Sequence, residues 1–322
     1  MQKELILVTG GAGFIGSHVV ERLLRRNVKV AVLDNFRSGK RENIEPFLSH
    51  PDFVLVKADI TQGLWATLHT LTKEHGPIAR IFHFAAQISV VYSIEHPLED
   101  TQINAVGTLQ LLEYARHHNI KKFIFASSAA TYGDTEIVPT PEDAPKLPLS
   151  PYAFNKLSSE HQLQYAWAIH KLPTIGFRFF NVYGPRQDPK SPYSGVISIF
   201  LDRATKGSSI TIFGSGDQTR DFVYVGDLAS LLVEAAFGEE GNGEIFNVGT
   251  GKAHDIKTLA ETIVSLTESE SSILYVEKRA GDILHSCAVI EKAKERFGFS
   301  PEHNLKEGLS KTLAWFKETT TS

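Results

Sequence analysis

The chain has 322 residues, of which 22% are charged and 42% are hydrophobic, and its formal net charge is −4. This balance is typical of a globular protein with a sizeable core, and it argues against nucleic acid or a membrane surface as a partner. Because Cys287 is the single cysteine, no internal disulfide can form, which favours a reducing compartment. With no leader-like start and no apolar run of about 20 residues, we expect a cytoplasmic protein that does not enter the membrane.

The first half of the sequence alternates short apolar runs with amphipathic stretches. The runs predict strands over residues 5–8, 28–33, 53–56, 81–84, 123–126 and 175–180. Helical patterns between them cover residues 18–26, 107–118 and 156–170. Short apolar strands that alternate with helices are typical of a parallel sheet covered on both faces. We therefore predict an α/β fold with a doubly wound, mostly parallel Rossmann-type sheet.

The pattern changes after about residue 180. Residues 181–195 are rich in proline, glycine and serine and predict a loop. Beyond it, helices are predicted over residues 196–206, 227–237, 256–266 and 305–317, with short strands at 210–213 and 245–248. The expected organisation is a first domain over residues 1–180, to which segments near 221–250 return, and a smaller α/β lobe over residues 181–322.

A glycine-rich segment follows the first predicted strand and precedes a helix. It contains G-x-G-x-x-G as Gly11, Gly13 and Gly16. Glycines are needed where backbone approaches a pyrophosphate, which the N–H groups of a helix N-terminus then bind. Asp34, 18 residues after Gly16, ends the second predicted strand, where a carboxylate accepts from both adenosine ribose hydroxyls. The combination predicts a site that prefers NAD to NADP, although Arg37 is near enough in sequence to accommodate a 2′-phosphate.

Tyr152 and Lys156 are four residues apart in a predicted helix and therefore share a face. The lysine ammonium, together with a positive nicotinamide ring, is expected to lower the pKa of the phenol from about 10. Ser128 lies 24 residues before Tyr152 at the end of a predicted strand, where its hydroxyl could bond the substrate oxygen that the tyrosine deprotonates. Ser127 and His83 are expected to be structural, and the histidines show no metal-ligand spacing.

Ordered motifs along nearly the whole chain resemble those of the extended short-chain dehydrogenases/reductases, in the sugar-nucleotide epimerase/dehydratase group. They include TGGAGFIGSHVVERLL, HFAAQISV, INAVGTLQLLE, SSAATYGD, SPYAFNK, RFFNVYGPR and RAGDILHS. The resemblance implies an enzyme that retains NAD and exchanges a hydride with a ring carbon of a nucleotide-linked sugar. It makes residues 1–180 the NAD-binding domain and residues 181–322 the sugar-nucleotide-binding lobe.

The same resemblance implies a role for individual residues. Ser128 matches the catalytic serine, Tyr152 matches the base, and Lys156 matches the residue that holds the nicotinamide ribose, with Asn104 supporting it. The implied cofactor contacts are Gly10, Gly13, Phe14, Ile15, Gly16, Asp34, Asn35, Asp59, Ile60, Phe84, Ala85, Ala86, Asn104, Tyr152, Lys156 and Phe180. The implied substrate contacts are Ser128, Asn181, Phe213, Arg220, Arg279, Asp282 and Ser286.

Some of these positions have a plain structural alternative. Residues 84–86 could be sheet core, Asp59 a turn residue, Arg220 a member of a surface ion pair, and Ser286 an ordinary loop serine. The family commonly dimerises through helices that match residues 98–118 and 154–170, so a homodimer is expected. The apolar positions of these helices fit either an interface or the core; they are Leu109, Leu112, Leu157 and Leu163.

The residues after Ser128 bear on the reaction. Dehydratases of the group carry Asp-Glu directly after this serine, and decarboxylases carry a glutamate in the same stretch, whereas this chain has Ala129 and Ala130. The resemblance therefore favours an NAD-dependent UDP-hexose 4-epimerase acting through a transient 4-keto sugar, on UDP-glucose and UDP-galactose. Ser286 aligns with a tyrosine common in enzymes restricted to these sugars, so UDP-GlcNAc and UDP-GalNAc stay open as substrates. A UDP-uronic acid 4-epimerase and a non-catalytic NAD-binding sensor are the alternatives.

Overall fold

The computed structural model describes residues 3–189, 195–278 and 283–320. Its strands, in chain order, are β1 (Leu5–Thr9), β2 (Lys29–Asp34), β3 (Phe53–Lys57), β4 (Ile78–His83), β5 (Lys122–Ser128), β6 (Thr174–Phe179), β7 (Asn181–Tyr183), β8 (Ile210–Phe213), β9 (Thr219–Tyr224), β10 (Glu244–Val248), β11 (Ala253–Asp255) and β12 (Ile273–Val276). Its α-helices are α1 (Phe14–Leu24), α2 (Leu64–His75), α3 (Val90–Glu95), α4 (Pro97–Thr101), α5 (Gly107–His117), α6 (Pro151–His170), α7 (Val196–Thr205), α8 (Val225–Phe237), α9 (Ile256–Thr267), α10 (Glu291–Phe297) and α11 (Leu305–Thr320). A π-helical turn covers Gln102–Val106, and 3₁₀ turns cover Arg41–Asn43, Glu45–Phe47 and Ala129–Tyr132.

The main sheet contains seven strands of the described chain, in the order β10-β6-β5-β4-β1-β2-β3. β1 pairs in parallel with β2 on one side and with β4 on the other, β2 pairs in parallel with β3, and β4 with β5. Strands that are covered on both faces are apolar throughout, and β1 and β6 are buried along their whole length. The predicted α/β fold with a mostly parallel sheet is confirmed.

The strand order reverses at β1. The chain runs outward from β1 to β2 and β3 and then returns to place β4 on the other side of β1. Thr9, at the end of β1, lies level with Leu33 of β2 and with His83 of β4. In sheets of this kind, ligands bind beyond the carboxyl ends of the strands, where the order reverses.

The chain divides into two compact units. The first comprises Met1–Gly133, Lys146–Arg178 and Ala229–Phe246. Its core is a cluster of apolar side chains from the sheet and from the helices, including Leu7, Ile81, Leu111, Phe123 and Leu163. The second comprises Asp134–Pro145, Phe179–Leu228 and Asn247–Ser322, and it contains a three-stranded sheet, β11-β9-β7, and a two-stranded sheet, β12-β8.

Two helices begin earlier than the sequence pattern predicted. α1 begins at Phe14 and not at residue 18, so the end of the glycine segment forms its first turn. α6 begins at Pro151, before the helical pattern over residues 156–170, and it contains both Tyr152 and Lys156, which were predicted to share a helix face. The Ser150 side chain accepts a hydrogen bond from the N–H of Ala153 (3.2 Å), and proline suits the first turn because its missing N–H has no partner there.

The predicted loop over residues 181–195 is wrong at its beginning. Asn181–Tyr183 form β7, which pairs in parallel with β9. The chain turns only at Gly184, whose φ is +149°, and a strand of three residues is too short to show an alternating pattern. Among the described residues, no helix is long and apolar enough to cross a membrane.

Candidate active site

The glycine-rich loop joins β1 to α1 at the carboxyl edge of the main sheet. Gly10 has a φ of +69°, a left-handed conformation that glycine adopts without strain. A Cβ on Gly16 would lie 2.2 Å from the carbonyl oxygen of Gly10, and a Cβ on Gly10 would lie 2.6 Å from the amide nitrogen of Ala85. Contacts this short exclude any larger side chain, so the two glycines are required for the tight turn itself.

The N-terminus of α1 offers a site for an anion. Gly13 is the N-cap residue, it has no side chain to cap the helix, and the first turn contains no acidic residue. The first N–H groups of a helix have no partner within it, and the helix dipole favours negative charge there. The loop therefore fits a dinucleotide pyrophosphate, whose oxygens would accept hydrogen bonds from the backbone N–H groups of the first turn, at Phe14, Ile15 and Gly16.

Asp34 ends β2 and is buried beside this loop. Its carboxylate accepts hydrogen bonds from the N–H groups of Ala12 (2.9 Å) and Phe36 (2.8 Å). Burial raises the pKa of Asp34, and the two hydrogen bonds oppose the rise. The backbone therefore holds this carboxylate in a defined orientation at the sheet edge, where a ribose ligand is expected.

Asn35 and Asp59 lie together at the ends of neighbouring strands. The Asn35 side-chain amide donates to the Asp59 carboxylate (2.8 Å), which also accepts from the N–H and the hydroxyl of Thr61. Burial tends to raise the pKa of Asp59, but these hydrogen bonds keep that pKa below its ordinary value. The Ile60 side chain belongs to the apolar core, so its backbone is the part that remains for a cofactor contact.

Arg37 is the residue that, in the sequence, could have accommodated the 2′-phosphate of NADP. It forms an ion pair with Glu99, and its guanidinium carbon lies 5.0 Å from the centre of the Tyr92 ring. The hydrogen bond to Glu99 raises the pKa of Arg37. Because Glu99 already neutralises this cation, the geometry favours the prediction made from Asp34, which is NAD.

The residues that follow β4 lie at the same edge of the sheet. Residues 84–86 are partly exposed, and Ala85 also packs against the apolar core of the first unit, so the core and the cofactor-wall interpretations both stay open. His83, directly before them, is buried and bonds the hydroxyls of Thr9 (2.7 Å) and Thr108 (3.0 Å) through its two ring nitrogens. Burial lowers the pKa of His83 to about 3, and the charge of Lys156 adds to this effect. His83 is therefore a neutral structural residue, as expected.

Ser128, Tyr152 and Lys156 come together from β5 and α6. The Ser128 hydroxyl oxygen accepts from the N–H of Ala130 (3.2 Å), which caps the 3₁₀ turn that follows β5. The Lys156 ammonium donates to the carbonyl of Ala126 (2.9 Å) and lies 5.9 Å from the centre of the Tyr152 ring. The end of one strand and the first two turns of one helix thus place a hydroxyl, a phenol and an ammonium side by side.

Burial shifts the pKa of both titratable groups of this site. Burial lowers the pKa of Lys156 to about 8, against the opposing charges of Asp100 and Glu160. Burial raises the pKa of Tyr152; hydrogen bonding by Ser128 opposes the rise, and the charge of Asp100 adds to it. Burial is thus the main influence on both groups within the polypeptide, and the lowering of the phenol pKa that is expected from Lys156 and a positive nicotinamide ring together stays a prediction.

Asn104 lies in the π-helical turn between α4 and α5, and such turns are frequent at functional sites. Its side chain accepts from the N–H of Gln87 (3.0 Å) and donates to the carbonyl of Gln87 (2.9 Å) and to Asp100 (2.9 Å). None of these three hydrogen bonds reaches Lys156, and the predicted support of this lysine by Asn104 stays a prediction. Asp100 was missed in the sequence, although its i,i+4 spacing from Asn104 places the two on one helical face.

Ser127 is structural, as expected. Its hydroxyl donates to Glu160 (2.5 Å), whose two carboxylate oxygens also accept from Arg178 (2.8 and 2.6 Å). Arg178 donates in addition to the hydroxyl of Tyr132 (2.7 Å) at the end of the 3₁₀ turn. This buried network holds the backbone on both sides of Ser128, so it fixes where the serine hydroxyl points.

Several predicted substrate residues lie around the three-stranded sheet of the second unit. Asn181 of β7 lies level with Phe222 of β9, the strand that also carries Arg220. Arg220 donates to the carbonyl of Thr219 (2.8 Å), and the N–H of Ser286 donates to the same carbonyl (3.1 Å). The structure therefore brings Asn181, Arg220 and Ser286 to neighbouring positions.

The remaining predicted residues are more dispersed. Phe213 ends β8 and is partly exposed, and its carbonyl accepts from the Gln218 side chain (2.8 Å). Phe180 is buried, and its N–H donates to the carbonyl of Val248 (2.9 Å). Arg279 and Asp282 lie outside the described residues.

Comparison with known proteins identifies relatives along the whole chain. The sequence model of the NAD dependent epimerase/dehydratase family matches residues 6–249. A UDP-glucose 4-epimerase from Mycolicibacterium smegmatis is 39% identical over 312 residues, which cover 97% of this chain and 98% of that protein. A UDP-N-acetyl-alpha-D-glucosaminuronate decarboxylase from Bacillus cytotoxicus is 34% identical over 328 residues, 98% of each chain.

Solved structures agree with this relationship. A UDP-glucose 4-epimerase from Thermotoga maritima, determined with UDP-glucose, has a TM-score of 0.91 at 37% identity and covers 98% of this chain and 99% of its own. A UDP-N-acetylglucosamine 4-epimerase from Methanobrevibacter ruminantium, in complex with UDP-N-acetylmuramic acid, has a TM-score of 0.91 at 37% identity. The match covers 99% of this chain and 100% of that chain. The chain therefore belongs to the NAD-dependent epimerase/dehydratase family, whose cofactor is NAD.

Proposed function

We propose that this chain is an NAD-dependent UDP-hexose 4-epimerase that acts through a transient 4-keto sugar. The observation that carries the proposal is the composition of the site around Ser128. Tyr152 and Lys156 of α6 lie beside this serine, while the next two positions, in the 3₁₀ turn, are Ala129 and Ala130. The site therefore has the groups for moving a hydroxyl proton, and this turn offers no acid for removing water or carbon dioxide.

The residues divide the chemistry between them. Bound NAD supplies hydride exchange with a secondary alcohol carbon. Tyr152 accepts the proton of the sugar 4-hydroxyl and later returns it, which is general acid–base catalysis. Ser128 donates a hydrogen bond to the same sugar oxygen, and Lys156 contributes positive charge that favours the phenolate. Burial raises the pKa of Tyr152 in the polypeptide, and the positive charges of Lys156 and of an oxidised nicotinamide would oppose that rise.

Identity alone does not separate the activities of the relatives. A 4-epimerase is 39% identical to this chain and a decarboxylase is 34% identical, over almost the same length. Elimination or decarboxylation would need a carboxyl group at or near the turn after Ser128. Alanine can neither donate nor accept a proton, so Ala129 and Ala130 support epimerisation over either alternative.

Epimerisation requires a firmly held nucleotide and a loosely held hexose, because the keto sugar must turn before the hydride returns. We assign the nucleotide contacts to Asn181, Arg220, Phe213, Arg279 and Asp282. Binding energy located away from the reacting carbon leaves the sugar free to turn.

The proposal is tested by incubating the purified protein with UDP-glucose, UDP-GlcNAc and UDP-glucuronic acid and separating the products. Formation of UDP-galactose or UDP-GalNAc supports it. Conversion of UDP-glucuronic acid alone would identify a uronic acid epimerase, and loss of carbon dioxide or water would overturn epimerisation. Bound NAD without turnover of any sugar would identify a sensor. As a control, Tyr152→Phe is expected to lower turnover by roughly 10²–10⁴-fold and to leave fold and NAD content unchanged.

We further propose that Ser286 permits N-acetylated sugars. A small side chain here leaves room that a tyrosine would fill, and its backbone is held on β9 next to Arg220. Ser286→Tyr is expected to abolish conversion of UDP-GlcNAc and to spare UDP-glucose. An equal loss of both activities would remove Ser286 from this role.

We also propose a homodimer, formed by an apolar helix surface on α3–α6. These helices pack against one another within the first unit. Their exposed apolar residues include Leu98 (87% exposed) and Phe154 (61% exposed), together with Val90, Val91, Ile94, Leu109, Tyr165 and Ile169. Leu112 and Leu163 belong to the core cluster, so they are not part of this surface. A second copy of the chain could cover these side chains through the same surface.

A further inference from the structure

Asp100 is a buried carboxylate that none of the roles above uses. It lies in α4, and its exposed fraction is 0%. One carboxylate oxygen accepts from the side-chain amides of Gln87 (2.8 Å) and Asn104 (2.9 Å), and the other accepts from the side-chain amide of Asn155 (2.7 Å). A buried carboxylate is costly unless it is well bonded, so three amide donors around a single acid indicate that the charge itself is retained.

The three amides belong to the elements that build the candidate site. Gln87 follows residues 84–86, which the sequence assigns to the cofactor wall. Asn104 lies in the π-helical turn. Asn155 directly precedes Lys156 on α6 and also donates to the hydroxyl of Thr101 (3.1 Å). Asp100 thus joins the loop after β4 to the helix that carries Tyr152 and Lys156.

The charges around Lys156 explain why a carboxylate is present there. Two buried acids act on this lysine, Asp100 and Glu160. Glu160 is paired with Arg178 through two hydrogen bonds, so its negative charge is largely cancelled. The side-chain partners of Asp100 in the described chain are neutral amides. Asp100 is therefore the buried anion whose charge is left to act on Lys156.

We propose that Asp100 is a positioning residue for the catalytic group: it fixes α6 against the loop after β4 and stabilises the Lys156 ammonium with its negative charge. The inference rests on the proposed function, because it concerns the same Tyr152 and Lys156. It adds a residue that touches neither sugar nor cofactor and acts through its amide partners and its charge.

The charge has a predictable effect on the pH dependence. The titratable and charged groups around Lys156 are Tyr152 and Glu160 from α6, His83 from β4, Arg178 from β6 and Asp100 from α4. The anion at Asp100 raises the pKa of both Lys156 and Tyr152. Its removal therefore lowers both, so the rising and falling limbs of a pH–turnover profile move together toward lower pH.

The test compares wild type with Asp100→Asn, the double variant Asp100→Asn/Asn155→Asp, and Asp221→Asn. The double variant exchanges carboxylate and amide across one hydrogen bond, so the charge stays beside Lys156. Asp221 is equally buried and is also bonded by neutral donors, from Thr250, Gly251 and Ala288, so it controls for loss of a buried carboxylate. For each variant, turnover of the UDP-sugar and the fraction of NAD retained by the holoenzyme after dilution are measured as functions of pH.

In Asp100→Asn, we expect the pH of maximal turnover and the midpoint of NAD retention to fall by about one pH unit or more, the low end for a nearby opposite charge. In the double variant we expect both to return toward wild type, and in Asp221→Asn we expect both to stay unchanged. Unchanged midpoints in folded Asp100→Asn would overturn the proposal. If that variant does not fold, the double variant decides: wild-type midpoints support the proposal and displaced midpoints overturn it. NAD retention gives this answer even if no UDP-sugar is converted, so failure of the proposed function is seen separately.

Discussion

The buried ion pair behind Ser128 allows a sharp test of stability. Arg178 is 4% exposed and Glu160 is 1% exposed, and three hydrogen bonds join Arg178 to Glu160 and Tyr132. Arg178→Met keeps an unbranched apolar chain of similar length and removes the cation. Glu160 then retains only the Ser127 hydroxyl as a partner from this network, and a buried carboxylate without its cation costs about 3–5 kcal/mol. We expect a loss of unfolding free energy of that size.

The loss is measured by urea unfolding at constant pH. Because the chain forms two compact units, unfolding is followed by two probes to establish whether the transition is two-state. The matched control is Arg116→Met, which breaks the partly exposed pair with Glu113 and should leave the unfolding midpoint unchanged. Turnover should fall in Arg178→Met as well, because the same network positions the backbone around Ser128.

A loss below about 1 kcal/mol, the upper range for exposed pairs, would refute the reasoning. The double variant Arg178→Met/Glu160→Gln separates charge from packing. With no charge left unpaired, it should be more stable than Arg178→Met alone. If the double variant is the less stable of the two, then lost packing and not the unpaired carboxylate accounts for the effect.

Three further predictions follow from the site and its surroundings. Gly16→Ala places a Cβ 2.2 Å from the Gly10 carbonyl oxygen, so the loop must move, and NAD affinity should fall at least about tenfold. The control is Gly238→Ala, where the nearest atom to an added Cβ is 3.5 Å away. Equal amounts of NAD released on denaturation of the two variants would contradict the expected loss of affinity. Because His83 has an ordinary pKa of 6.5 and a folded pKa of about 3, the folded state binds fewer protons between these values, and stability must fall as the pH is lowered through that window. In His83→Gln, the urea midpoint should decline less steeply as the pH is lowered. A decline as steep as in the wild type would contradict this role of His83. Leu98→Glu and Phe154→Glu should each give a monomer by light scattering. Leu274→Glu, a control substitution on β12, should leave the dimer intact. A dimer in all three variants would rule out the apolar helix surface as the interface.

The sequence was sufficient for the parts of the site that depend on local rules. The strands of the first half were predictable to within three residues at either end, because buried parallel strands are short apolar runs whose carboxyl ends meet at one sheet edge. The glycine loop, Asp34 and the Tyr152–Lys156 pair follow from turn geometry and from helical spacing. His83 was expected to be structural because it lies in an apolar run, and Ser127 because the resemblance assigns the catalytic role to Ser128.

The protonation of the site could not be predicted from the sequence. Whether Lys156 or burial dominates the pKa of Tyr152 depends on how much solvent the fold removes, which spacing does not reveal. The hydrogen bonds of the Asn104 side chain to Gln87 and Asp100 depend on tertiary packing, which the sequence does not reveal. Likewise, the start of α6 at Pro151 depends on a cap from Ser150, and β7 exists only because β9 is there to pair with it.

Sequence by itself therefore determined the class of fold, the family and the residue types available for chemistry, because these depend on short-range patterns and ordered motifs. Only the tertiary structure decided which charges act on one another. Asp100, Glu160 and Arg178 come from three separate elements, and their balance at Lys156 arises because α4, α6 and β6 are buried together. Electrostatic interactions strengthen as water is excluded, so the same residues would have almost no mutual effect in the unfolded chain.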